Sequence, residues 1–217
     1  VSRRSKRRSG RPRSLRRRHP FRRERRTFLV FCEGAKTEPE YLDALKREPA
    51  VKDVASVQIK INKAKRGSPP LTLVKAAAEA RVRSRKEEGE VDQVWCLFDT
   101  DWPNEHPNLQ EAESLAAKEA VHLAVSNPCF ELWLILHFEE CRGPLQNKEA
   151  DRRRKKIDGS PNKGLGKADY MGNRTKAARR ARDLDAMHKS NGNTFPRDNP
   201  SSGMYRFLEA LENTQVP

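Results

Sequence analysis

Two uninterrupted apolar runs fix the kind of sheet this chain can build. Residues 27–34, TFLVFCEG, and 91–101, VDQVWCLFDTD, place β-branched and aromatic residues at successive positions rather than at every second one. A strand of that composition must be covered on both faces, as in a parallel sheet between helix layers. Both runs end in acids: Glu33 ahead of Gly34, and Asp99 and Asp101 with Thr100 between them. The chain therefore sets carboxylates where a buried strand meets solvent.

The intervening segments supply the helix layers. Residues 37–48, TEPEYLDALKRE, predict a helix with Thr37 as N-cap, Glu40 three residues later and Pro39 in the first turn, where its missing N–H costs nothing. Its apolar stripe is Tyr41, Leu42 and Leu45. Residues 54–62 alternate Val57, Ile59 and Ile61 with polar neighbours, a half-buried or edge strand. A loop is expected over 64–70, a long Ala-rich helix over 71–88 and a short helix over 109–119. A strand follows over 122–127 and an apolar core helix over 129–138. Residues 142–167 read as a basic, loop-rich stretch and 173–188 as a basic helix, with Ser201 or Ser202 capping a last one. Buried strands alternating with helices predict an α/β fold: a mainly parallel sheet flanked by helices, with 27–217 as one domain.

Charge divides the chain differently. Residues 1–26 hold fourteen of the 45 basic residues and one of the 30 acids, so +13 of the formal +15 lies there and +2 remains for the rest. This Arg-rich segment buries nothing and repels itself, which predicts a disordered tail, either merely solvated or gripping a polyanion such as nucleic acid. It has no apolar h-region, and nowhere do about 20 apolar residues follow one another, so neither a secretory signal nor a membrane span is expected. Cys32, Cys96, Cys129 and Cys141 form no C-x-x-C pair, which predicts reduced thiols in a cytoplasmic protein rather than a zinc site.

Ligands of parallel α/β sheets bind beyond the carboxyl ends of the strands. In an extended chain, residues two apart point the same way, so Asp99 and Asp101 can face one point with Thr100 turned away. If the two acid-ended strands are neighbours, Glu33 completes a three-carboxylate cluster that needs protons or a cation. Oxygen ligands favour Mg²⁺ or Mn²⁺ over zinc. The alternative is that the aspartates only open a turn before Trp102-Pro103. Glu33 or Glu38 can act as a general base, and Glu38 can instead simply favour a helix N-terminus. Lys36 can meet a phosphate or stay solvated. Glu131, the sole acid in the apolar run CFELWLILHF, is either a site residue or an exposed acid at a helix start. His137, off that face, reads as a core histidine, and Asn127 as a cap or a phosphate contact. Lys163, Lys167, Arg174, Lys176, Arg179, Arg180 and Arg182 can form a phosphate-tracking surface or an ordinary solvated face, with Tyr170 able to stack a base.

Four blocks, FLVFCEGAKTEPEYLDAL, VWCLFDTDW, AVSNPCFELWLILHF and NPSSGMYRFLEAL, follow one another in the order of the RloB-like family, which the chain resembles from residue 28 to 211. That family is grouped with Toprim-type proteins and OLD-like nucleases. The resemblance implies a Toprim-like fold, with the first-strand acid on Glu33 and the D-x-D acids on Asp99 and Asp101. It also implies a role in anti-phage defence, beside other proteins of a defence system. Thr100 stands where the family often has Arg, and Ser202 where it commonly has Thr; both carboxylates of the pair are kept. By Toprim analogy the three acids hold one or two divalent cations for phosphodiester cleavage. The leading expectation is thus a metal-dependent nuclease acting on RNA or DNA. The alternative is a non-catalytic nucleic-acid-binding or scaffold subunit of a defence complex.

Overall fold

The computed structural model describes residues 25–61, 69–87 and 91–212. Its strands are β1 (Arg26–Cys32), β2 (Ala55–Ile61), β3 (Gln93–Asp99), β4 (His122–Asn127) and β5 (Ser201–Ser202). The helices are α1 (Thr37–Leu45), α2 (Pro49–Lys52), α3 (Pro70–Glu87), α4 (Leu109–Lys118), α5 (Phe130–Leu136), α6 (Asn147–Asp158), α7 (Tyr170–Ser190) and α8 (Met204–Glu212). The strands form one sheet in the order β2-β1-β3-β4-β5. The first four are parallel, and β5 runs antiparallel against the end of β4.

The mainly parallel sheet predicted from the apolar runs is present, and side-chain alternation explains why those runs are continuous. Phe28, Val30 and Cys32 of β1 enter one core with Trp95 and Leu97 of β3, against α1, α5, α7 and α8. Leu29 and Phe31 enter a second core with Val94, Cys96 and Phe98, against α3 and α4. Every residue of Phe28–Cys32 and Val94–Phe98 therefore has an apolar destination. Each such side chain contributes about 1.5–3 kcal/mol through burial. The two acid-ended strands are neighbours: Cys32 lies opposite Leu97, and the Glu33 N–H donates to the Leu97 carbonyl at 3.0 Å.

Several local readings change. Thr37 is not the N-cap of α1; Lys36 occupies that position without a side-chain cap, and Thr37 is buried in the first turn. Ser201 and Ser202 do not cap α8 but form β5, pairing with Asn127 and Ser126 at the free edge of β4. The loop-rich stretch 142–167 contains a helix the sequence reading did not separate, α6, which occupies twelve of its residues. The inner face of α6, Ala150, Arg154 and Asp158, hides two charged residues that satisfy each other, so no apolar period shows in the sequence. The four cysteines are free and buried. The tail reading for 1–26 falls, up to residue 24, outside the described residues, as does the loop reading up to residue 68; Arg26 already belongs to β1. Among the described residues no helix is long and apolar enough to cross a membrane.

His137 is the core histidine expected. It is fully buried, its Nδ1–H donates to the Trp133 carbonyl at 2.8 Å, and its Nε2 accepts from the Tyr41 hydroxyl at 3.1 Å. Burial pushes its pKa down to about 4, so it stays neutral. Tyr170 packs edge-on against His137 at 5.3 Å, which removes it as a platform for a base. The opposite end of this core is closed by Phe207 of α8, edge-on to Trp95 at 5.1 Å and to Phe28 at 6.4 Å. Phe207→Ala is expected to lower unfolding free energy by about 3–5 kcal/mol in urea titrations. A loss below about 1 kcal/mol would show that α8 does not close the core.

Candidate metal centre

Five carboxylates converge at the carboxyl edge of the sheet. Asp99 is the innermost: burial raises its pKa well above the carboxylate range, and Glu38, Glu131, Glu33 and Asp101 each push it higher. All five acids singled out from the sequence are therefore brought within one another's field. Glu33 comes from the end of β1, Asp99 from the end of β3 and Glu131 from the first turn of α5. Glu38 comes from the first turn of α1, where it is buried and its Oε1 accepts from the Gly34 N–H at 3.1 Å. A side chain at position 34 would collide with that carboxylate, which is why the turn after Glu33 carries glycine. Burial, and then the charges of Glu131 and Glu33, raise the Glu38 pKa to about 7.

The two aspartates part company after β3. Asp101 has φ +62, in the left-handed region that Asp tolerates better than most residues. Its N–H donates to the Pro128 carbonyl at 3.0 Å. Thr100 is turned away as expected, fully buried with its hydroxyl donating to Asn127 Oδ1 at 2.9 Å. Asn127 in turn donates to the Pro196 carbonyl and to Asp198, so it braces a loop rather than facing a phosphate. Because the chain leaves its extended path here, same-side alternation does not carry Asp101 to the point Asp99 reaches.

Instead Asp101 meets Glu33 and a residue the sequence reading passed over, His106. The imidazole Nε2 lies 3.2 Å from Glu33 Oε1 and 3.0 Å from Asp101 Oδ2. It is buried and aligned for a hydrogen bond to neither. One ligand atom from each of the three residues lies within 4.8 Å of the others, the arrangement of a metal site. Among the described residues the ligand-capable group is thus Glu33, Asp101 and His106, where the sequence had pointed to Glu33, Asp99 and Asp101. Asp99 supports from beneath, its N–H 3.3 Å from Glu33 Oε2. Asn147, at the start of α6, donates to Asp101 Oδ1 at 2.7 Å and was likewise missed, since α6 itself was read as loop. His106 offered one signal: it is the histidine of the loop that directly follows the aspartate pair.

The electrostatics fit a cation. Contact with Asp101, then with Glu33, raises the His106 pKa to about 10, so an imidazolium supplies the positive charge these acids need. Contact with His106 and the hydrogen bond from Asn147 hold Asp101 below the usual carboxylate range. A divalent ion would offer the same carboxylates a stronger partner and the neutral imidazole a place for its lone pair. Buried nitrogen, flanking oxygens and a surplus of acids suit such an ion.

The cationic residues divide. Lys36 and Lys163 lie on this side of the molecule, and Lys163 is close enough to help lower the Asp101 pKa. Lys167 is exposed in the same loop. Arg174 lies at the far end, paired with Glu48 at 3.2 Å and Glu212 at 2.9 Å. Arg180 donates to the Leu136 carbonyl at 2.7 Å, and Arg182 pairs with Glu209. Arg179 is exposed on α7. The α7 cations expected to track phosphates are thus largely committed to helix packing, because α7 docks on α5 and α8.

A family model described as RloB-like protein matches residues 28–211, from the first strand to the last helix. No curated protein and no solved structure matches the chain. With that match spanning β1, β3, α5 and α8, and so all five acids and His106, this chain belongs to the RloB-like family.

Proposed function

We propose that this chain is a divalent-metal-dependent nuclease, hydrolysing RNA or DNA phosphodiesters at the carboxyl edge of its sheet, in an anti-phage defence setting with other proteins of that system. The observation that carries the reading is the meeting of Glu33, Asp101 and His106 above the raised carboxyls of Asp99 and Glu38. A protein that only binds nucleic acid gains nothing from acids crowded against a phosphate. The Toprim kinship implied by the sequence blocks points the same way.

Glu33, Asp101 and His106 would hold Mg²⁺ or Mn²⁺. The nitrogen ligand tips the choice toward Mn²⁺, since Mg²⁺ keeps to oxygen. Such an ion, when bound, supplies Lewis-acid polarisation of the phosphodiester and charge for the leaving oxygen. Glu38, poised near neutral pH, takes the proton of the attacking water. Asp99 and Glu131 keep the edge acidic, and Asn147 orients Asp101. Lys36 faces the approaching phosphates.

The deciding assay incubates the purified chain with labelled single-stranded RNA, tRNA and plasmid in Mn²⁺, Mg²⁺ or EDTA. Cleavage is expected with metal, faster in Mn²⁺, and absent in EDTA. Glu33→Gln and Asp101→Asn should each lower it by about 10³-fold. His106→Ala should lower it by roughly 10–100-fold and shift the preference toward Mg²⁺. Glu38→Gln should lower kcat by about 10²–10⁴-fold while Mn²⁺ still binds. Cleavage undiminished in Glu33→Gln would remove this site from the chemistry. Tight, salt-sensitive binding without cleavage of any substrate would leave the binding-subunit reading in its place.

A stability measurement in EDTA tests the electrostatics without turnover. Glu38 binds a proton more tightly when folded, so between its ordinary pKa of 4.5 and about 7 the folded state holds a proton the unfolded state has lost. Unfolding free energy must fall as pH rises through that window, by on the order of 3 kcal/mol. Urea titrations from pH 4 to 8 should show the fall in the wild type and a flatter profile in Glu38→Gln. Identical profiles would show that Glu38 is not in the acid cluster.

A further inference from the structure

The first nine residues of the connection from α6 to α7, 159–167, are held by charged groups that surface loops rarely bury. Arg154 is 1% exposed. Its guanidinium donates to Asp158 at 3.1 Å and Asp151 at 3.2 Å, and to the carbonyls of Ser160 and Asn162 at 3.2 and 3.0 Å. Asp158 accepts from the N–H groups of Ser160 and Gly166 and from the Tyr170 hydroxyl, at 2.8, 3.3 and 2.9 Å. One buried pair thus fixes the start, the middle and the end of the loop. Burying such a pair costs several kcal/mol of desolvation and is weak support for stability by itself. What it secures is geometry.

The far side of the loop is fastened to α1. The Leu165 N–H donates to Glu40 Oε2 at 2.8 Å. Gly164 has φ +112, and a Cβ there would come within 2.5 Å of Glu40 Oε2 and 3.0 Å of Lys36 Cε. Only glycine allows that approach to the helix turn that also carries Glu38. Lys163 stands between the two anchor points, Asn162 and Gly164. It is exposed, has no ion pair among the described residues, and its charge reaches Asp101.

Resting on the nuclease reading, we propose that residues 159–167 are a phosphate-gripping loop: Lys163 contacts a nucleic-acid phosphate beside the scissile bond, and Arg154, which touches no substrate, is the positioning residue that holds it there. Lys36, alongside Gly164, shares the grip. The loop brings positive charge to the one place where an approaching polyanion meets five carboxylates.

The test uses the full chain and a labelled single-stranded oligonucleotide, bound in EDTA at graded salt and turned over in Mn²⁺. Lys163→Ala should weaken binding and reduce the slope of log K against log salt by about one, with Lys163→Arg restoring it. Turnover should show KM raised by roughly tenfold with kcat changed less. The basic tail binds equally in every variant and cancels in the comparison. Arg154→Lys keeps the charge but cannot bridge the carbonyls and carboxylates together. It should lose the same unit of slope, and the double variant should be no worse than either single one. Gly164→Ala, which displaces the loop without emptying the buried site, should reproduce the loss if Arg154→Lys fails to fold. An unchanged slope in Lys163→Ala overturns the grip. An Arg154→Lys protein that melts earlier but keeps its slope overturns the positioning role. Because binding is read without turnover, a chain that cleaves nothing yet loses slope in Lys163→Ala sinks the nuclease reading and keeps the loop.

Discussion

Like charges at the end of a sheet repel one another, and the remainder of this molecule is arranged around that repulsion. Two carboxylates about 4 Å apart near a protein surface oppose each other by about 4 kcal/mol when both are ionised. Asp99 feels four acidic neighbours, Glu38, Glu131, Glu33 and Asp101. The fold meets this in three ways. Asp99 and Glu38 are driven toward protonation, His106 becomes a lasting cation, and backbone N–H groups of Gly34 and Asp99 face Glu38 and Glu33. Each response lowers the cost of holding these acids together.

The acids meet because of the sheet. Parallel neighbours end at the same edge, so terminating β1 in Glu33 and β3 in Asp99 puts both carboxylates together. The helices that follow β1 and β4 each add another acid in the first turn, Glu38 in α1 and Glu131 in α5. Both helix starts then set negative charge against a positive dipole end, which moderates the repulsion. The two cores hold this edge rigid, since Phe28–Cys32 and Val94–Phe98, the residues that lead up to the acids, are all packed.

This logic explains what was legible in the sequence. Glu33, Asp99 and Asp101 end continuous apolar runs, and Glu38 and Glu131 open helices with recognisable stripes. Strand and helix periodicity suffices to find all five. His106 and Asn147 were not legible, because each sits at a loop or loop-like position where no periodicity fixes its direction. Their role depends on the left-handed turn at Asp101, a backbone choice that composition does not announce. The basic helix misled for the converse reason. Its arginines look free in a linear reading, but Arg174 and Arg182 find carboxylates from α8 and from the turn after α1, elements distant in sequence. Charge along a chain identifies a surface only when its partners are known.

The same consideration bears on the loop that faces this edge, in a body of nearly neutral charge. Charges more than a Debye length of about 8–10 Å apart are largely screened, so contact is decided by the charges nearest to it rather than by the net charge. At this edge the carboxylates would repel an incoming phosphate unless cations stand nearer to it than the acids do. A divalent ion between Glu33, Asp101 and His106 would be one such charge. Lys36 and Lys163, beside Gly164, would be the others, and the buried Arg154–Asp158 pair fixes the backbone that carries the exposed Lys163. The acidic floor and the basic loop are complementary parts of one edge: the first gathers negative charge, and the second sets Lys36 and Lys163 beside it.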